Sequence, residues 1–113
     1  MKRNGILASG SWIVDQVKLV DVYPQRESLA NILSQGEGTG GSPYNILINL
    51  VKMGAKIPMS AAGLVGSDGL GDYILTDLKS HKIDTSQMRS TTKAPTSYTD
   101  VMTEVKTGRR TFF

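Results

Sequence analysis

The stretch Gly36-Glu37-Gly38-Thr39-Gly40-Gly41-Ser42-Pro43-Tyr44-Asn45 reads as a glycine-dense loop running straight into a helix. Ser42 is a suitable N-cap, and Pro43 suits the first helical position, where its missing N–H costs nothing. Ile46, Leu47, Leu50 and Val51 then recur at helical spacing, and Gly54 supplies the stop.

Extended segments lie upstream of this helix. Ile6-Leu7-Ala8, closed by Gly5 and Gly10, fits a buried first strand. A second extended run goes from Trp12 to Val22 and ends at Pro24 and the polar Gln25-Arg26-Glu27-Ser28. Leu29 to Leu33 reads as a further short strand. Downstream, Ile57 to Val65 is a buried strand, and Gly66-Ser67-Asp68 opens a second helix carrying Leu70, Ile74, Leu75 and Leu78 on one face. Lys79, His81 and Lys82 close that helix, where cations suit its dipole. Ile83 to Met88 returns the chain. Thr96 to Val105 is rich in β-formers, and Lys106-Thr107-Gly108 predicts a hairpin turn into Arg109-Arg110-Thr111-Phe112-Phe113. The alternation of strands and helices predicts an α/β fold. Two phenylalanines at the end of the sequence, partway through a strand, are expected to mark a cut, so the chain reads as a fragment.

The glycine loop admits three readings. Gly36, Gly38 and Gly41 match the G-x-G-x-x-G of dinucleotide sites. That fingerprint belongs on the first strand-to-helix turn, however, with an acidic residue about 20 positions later, and neither condition holds. A flexible connection to a capped helix is the second reading. In the third, Gly40 and Gly41 let a ligand touch the backbone at the helix start, with Asn45 one turn in. An amide both donates to and accepts from hydroxyls, which suits a polyol. Asn45 taken alone reads more readily as a solvent-facing helix residue.

Asp15 bears on the choice. On a strand it shares a face with Ile13, Val17 and Leu19, while Gln16 and Lys18 point the other way. A carboxylate among apolar neighbours needs a partner, and a pair of substrate hydroxyls would supply one. Val14 and Val20 blur the alternation, so the pattern leaves Asp15 equally readable as exposed. The expectation is that Asp15 and Asn45 converge on one polyol-sized hollow. Asp68 is explained by a helix N-cap, Trp12 by the core, and His81 by a solvated helix end.

Composition narrows the classes. A chain of 113 residues is long enough for one modest domain. The net charge of +3 comes with no basic stripe, which argues against a nucleic-acid partner. The absence of cysteine excludes disulfides, thiolate zinc sites and a cysteine nucleophile. A single histidine excludes a multi-histidine metal site, so no metal ligands are assigned. No apolar run approaches the roughly 20 residues that span a bilayer, and no signal-peptide pattern opens the chain. The expectation is no membrane partner and a cytoplasmic location.

Gly10-Ser11 with Asp15, then Gly40-Gly41-Ser42-Pro43-Tyr44-Asn45, Gly66-Ser67-Asp68-Gly69-Leu70-Gly71, Ile83-Asp84-Thr85-Ser86 and Thr107-Gly108-Arg109-Arg110-Thr111-Phe112 follow one another in order. The series resembles the N-terminal half of the ribokinase-like (PfkB) carbohydrate kinases. The resemblance implies a Rossmann-like α/β domain over 1–113, incomplete, with a β-sheet lid drawn from strands near 13–35 and 95–113. It implies substrate binding by Asp15, Gly40, Gly41, Ser42 and Asn45. It implies transfer of the γ-phosphoryl group of ATP to a sugar hydroxyl, with ATP and Mg2+ used by the complete protein and neither bound by this chain alone. Homodimerisation through the lid is a further implication. No catalytic residue is assigned here, because the family's G-x-G-D segment is absent from the sequence. Ile13 and Ser42 stand where the ribose-specific branch has asparagine and lysine. Two other classes remain: a small nucleotide-binding module built on the 36–41 loop, and a non-catalytic dimerisation module.

Overall fold

The computed structural model describes residues 2–113. In chain order the elements are β1 (Ile6–Ser9), β2 (Ile13–Val20), β3 (Ile32–Gly40), α1 (Ser42–Lys52), β4 (Met59–Gly66), α2 (Gly69–Ser80), β5 (Asp84–Thr91), β6 (Ser97–Glu104) and β7 (Arg110–Phe112). They divide into two compact units, residues 1–13 with 39–97 and residues 14–38 with 98–113.

The first unit is built on a parallel three-stranded sheet in the order β1-β4-β5. Ala8 pairs with Ala61, and Val65 with Ser90. The segment β4-α2-β5 is a βαβ unit, which needs a helix to carry the chain back to the start of a parallel neighbour. The core draws on both layers: Ala61, Val65 and Met88 from the sheet, Tyr44, Leu47, Ile48, Ile74 and Leu78 from the helices, all buried. Trp12 is buried too, with its ring centroid 5.8 Å from that of Tyr44 and its indole N–H donating to the Ala62 carbonyl at 3.0 Å.

The buried stripe of α1 differs from the expected one. Tyr44, Leu47 and Ile48 are buried and Val51 is half-buried, whereas Ile46 is 51% exposed. Positions 44, 47, 48 and 51 form the i, i+3, i+4, i+7 series of one helix face. Ile46 and Leu50 lie further round, and aliphatic identity alone does not separate the two sets. On α2 the expected face holds, with Ile74 and Leu78 fully buried.

The second unit is a four-stranded sheet in the order β3-β2-β6-β7. The expected hairpin is present: β6 and β7 pair antiparallel, with Val101 opposite Phe112 and Thr103 opposite Arg110, around the turn at 105–107. The glycine loop is not. Residues 36–40 are extended and belong to β3, the sheet's edge strand, and Leu29 is outside it and 90% exposed. Glycine-rich sequence disfavours a strand by propensity, but an edge strand needs only one partner, and pairing with β2 fixes the backbone.

Candidate functional site

Gly41 is the junction between β3 and α1. It is the N-cap of the helix, at φ 85° and ψ 143°, and no side chain caps the helix start. A β-carbon on Gly41 would lie 2.0 Å from the Ser11 carbonyl oxygen, so only glycine fits both the dihedral and the space. The expectation that Ser42 is the N-cap is therefore corrected. Ser42 is the first helical residue and is exposed, because the chain turns one residue earlier, where a positive φ is tolerated. The first turn has no side-chain acceptor for its backbone N–H groups and no acidic residue to offset the positive end of the helix dipole.

Asn45 sits one turn in and is exposed, and its backbone N–H donates to the Gly41 carbonyl at 3.1 Å. The Thr39 hydroxyl donates to Asn45 Oδ1 at 2.5 Å. That bond fixes the amide and leaves its N–H groups as donors. Thr39 was not singled out from the sequence. Gly40, directly before the cap, is buried.

Asp15 belongs to the second unit, on β2. Its half-exposed face carries Ile13, Val17 and Leu19, while the fully buried Val14 and Val20 lie on the opposite face. Lys18 forms an ion pair with Asp100 of β6 on that opposite face. Burial pushes the Asp15 carboxyl above the usual carboxylate range, and the positive charge of Arg110 partly offsets the rise. A carboxylate held in this way on a partly apolar face is short of partners, which suits it to accept hydrogen bonds from hydroxyls.

Asp68 proves structural. As N-cap of α2 it accepts from the Gly71 N–H at 2.8 Å, from the Thr96 N–H at 2.8 Å and from the Thr96 hydroxyl at 2.6 Å. Those bonds, the Thr96 hydroxyl's first, hold its carboxyl below the usual range. His81 is not simply solvated. It caps the C-terminus of α2, with Nδ1 2.8 Å from the Asp77 carbonyl oxygen. Among the described residues no group of three or more His, Asp or Glu side chains is placed to hold a metal ion.

The pfkB family carbohydrate kinase model matches residues 5–113. The chain belongs to that family. Mouse (Mus musculus) ketohexokinase is 25% identical over 111 residues, which are 98% of this chain and 37% of the relative. Ribokinase from Giardia lamblia superposes with a TM-score of 0.84 at 25% identity, over 98% of this chain and 33% of the other. Arabidopsis thaliana ribokinase, solved with ribose and ATP, superposes at 0.82 with 19% identity over 99% and 36%. The fold is thus the ribokinase fold, and the chain spans about a third of the length of each of these relatives. In that setting the G-x-G-x-x-G match loses its force as a nucleotide site. Gly36 and Gly38 lie in a strand, with nothing within 4 Å of where a β-carbon would stand.

Proposed function

We propose that this chain is the acceptor-binding part of an ATP-dependent sugar kinase. Asp15 and Asn45 hold acceptor hydroxyls, Gly40 and Gly41 let the acceptor approach the backbone, and Ser42 adds a hydroxyl at the helix start. The observation that carries the reading is the glycine-opened, uncapped start of α1, fixed by the Ser11 carbonyl and followed by an exposed Asn45, in a chain whose family match covers 5–113. The relatives' names support a sugar as acceptor. Strands from 13–35 and 95–113 form the lid, the complete protein is cytoplasmic, and two copies pair through the lid.

Phosphoryl transfer needs a base near the attacking hydroxyl and charge stabilisation at the phosphate. The residues of this chain supply neither, and contribute acceptor positioning. ATP and Mg2+ would be held by the rest of the complete protein. The test is ATP-dependent phosphorylation by the complete protein against a panel of hexoses, pentoses and nucleosides, alongside calorimetric titration with NAD. Turnover on a sugar supports the reading. NAD binding without sugar turnover defeats it in favour of a nucleotide module. The 113-residue chain alone is expected to give no sugar phosphate.

A further inference from the structure

Asn45 keeps only its side-chain torsions as freedom. Its backbone N–H donates to the Gly41 carbonyl at 3.1 Å, the first bond of α1. Tyr44, directly before it, is fully buried and donates from its hydroxyl to Asp77 of α2, which sets the rotation of α1 about its own axis. What remains is the direction of the amide. The Thr39 hydroxyl decides that by donating to Asn45 Oδ1 at 2.5 Å. Thr39 is half-buried at the end of β3, and its β-branch stiffens the torsion that carries the hydroxyl. All of these residues belong to the first unit.

The polarity of this bond matters more than its strength. An amide has one accepting end and one donating end. With Oδ1 turned to Thr39, the end left open is Nδ2, which has two donors and no partner among the described residues. In the reversed amide the Thr39 hydroxyl would accept from Nδ2, and its own proton would lose the one partner it has among the described residues. A group that faces Nδ2 has to accept. A hydroxyl oxygen does so, whereas an ammonium carries donors only and sets its N–H dipoles against those of the amide.

We infer that Thr39 is a positioning residue that holds the Asn45 amide with its donors toward the acceptor, so that the acceptor carbon facing Asn45 must bear an oxygen and an amino sugar with its nitrogen at that carbon is rejected. This rests on the acceptor-binding reading of Asn45 given above. Thr39 acts through the amide and touches no acceptor atom itself. Without its hydroxyl the amide is free to turn, and Oδ1 can then accept from an ammonium.

The experiment measures acceptor affinity of the complete protein by calorimetry, starting from the sugar it phosphorylates best. Singly deoxygenated analogues locate the carbon, since loss of the hydroxyl facing Asn45 weakens binding to wild type and leaves binding to Asn45→Ala nearly unchanged. The analogue with an amine at that carbon is then compared at a pH where the amine is protonated. Wild type should bind the hydroxyl form best, the deoxy form less well and the amino form least. Thr39→Val should raise the affinity for the amino form relative to the hydroxyl form by about 10-fold or more, the worth of one hydrogen bond gained where two donors had clashed, and place it above the deoxy form. Thr39→Ser keeps the hydroxyl and should keep the wild-type order. Asn45→Asp, which only accepts, should also favour the amino form. A merely structural role for Thr39 would weaken all three sugars alike and leave their order in place. That outcome, or a wild type that binds the amino form as well as the hydroxyl form, overturns the inference while sugar binding stands. Unchanged affinity of Asn45→Ala for every sugar instead removes Asn45 from the acceptor site. Valine matches threonine in shape, so an unchanged melting temperature is expected for Thr39→Val.

Discussion

The Ser11 carbonyl oxygen lies 2.0 Å from the point where a β-carbon would stand on Gly41, and this approach fixes how strand β3 becomes helix α1. Gly41 also has φ 85°, a region that side chains penalise whatever the space. Both effects act on one residue, and neither Gly40 nor Ser42 shares its positive φ.

Gly41→Ala is therefore expected to destabilise the chain by more than about 2 kcal/mol, since backbone strain alone costs about 1–3 kcal/mol and the clash is with backbone rather than a movable side chain. Gly36→Ala and Gly38→Ala should change stability by less than about 1 kcal/mol, because open space surrounds both positions and alanine suits an extended backbone at least as well. Urea denaturation of the three variants checks the contrast. Equal costs at all three would mean that the glycines act as one loop.

Much of the fold was legible because it rests on local chemistry. Pro43, the 74/78 apolar pair and the turn before Arg109 each carry a signal that does not depend on distant partners. The glycine strand at 36–40 was not legible, since its extended form comes from pairing with β2, a partner the local sequence does not name. The α1 stripe was misplaced for a related reason. Tyr44 is the largest fully buried side chain of that helix, and its burial is completed by Trp12 and Asp77, which lie far away in sequence. At the candidate site, Asn45 and Asp15 are proposed from residue type and position. Thr39 and Arg110 act through side chains on neighbouring elements, and only the pairing of those elements exposes the link.

The Tyr44 hydroxyl donates to Asp77 at 2.5 Å from a fully buried ring. Burial, then this bond, raises the phenol well above its ordinary value, so it stays protonated as a donor across the whole working range. Tyr44→Phe should cost about 1–3 kcal/mol, the value of a hydrogen bond to a charged acceptor. Asp77→Asn should cost less, because an amide oxygen still accepts. In the double variant the two losses should not add, which a thermodynamic cycle by chemical denaturation measures. Strict additivity would show that the bond contributes nothing.

Asp68 gives the chain an acid-sensitive joint. Its folded-state pKa is below the ordinary 3.8, so its stabilising contribution is complete above the unfolded value and is lost as pH falls through the lower folded value. Wild type should lose stability progressively below about pH 4. Asp68→Asn should be less stable at neutral pH, since its Nδ2 cannot accept from the Thr96 N–H, and its decline over the same acid range should be shallower. Thermal melts from neutral to acidic pH decide it, and parallel curves for the two proteins would rule Asp68 out as the group responsible.

Asp15 should behave in the opposite sense. Its folded pKa is raised, chiefly by burial, so the charged form disfavours folding. The contribution of Asp15 to stability is therefore most favourable below the unfolded value near 3.8 and is lost as pH rises through the folded one. Asp15→Asn removes that penalty, and its melting temperature at neutral pH should equal or exceed that of wild type. The same variant should lose acceptor turnover in the complete protein by about 100-fold or more, as expected when a hydroxyl-binding carboxylate becomes an amide that must also donate. Stability and turnover thus move in opposite directions, the pattern of a residue kept for binding at some cost to the fold. A variant that melts lower and turns over normally would instead make Asp15 a structural residue. Arg110→Gln provides an internal check, because removing its positive charge should raise the Asp15 pKa further and steepen the loss of stability between acid and neutral pH.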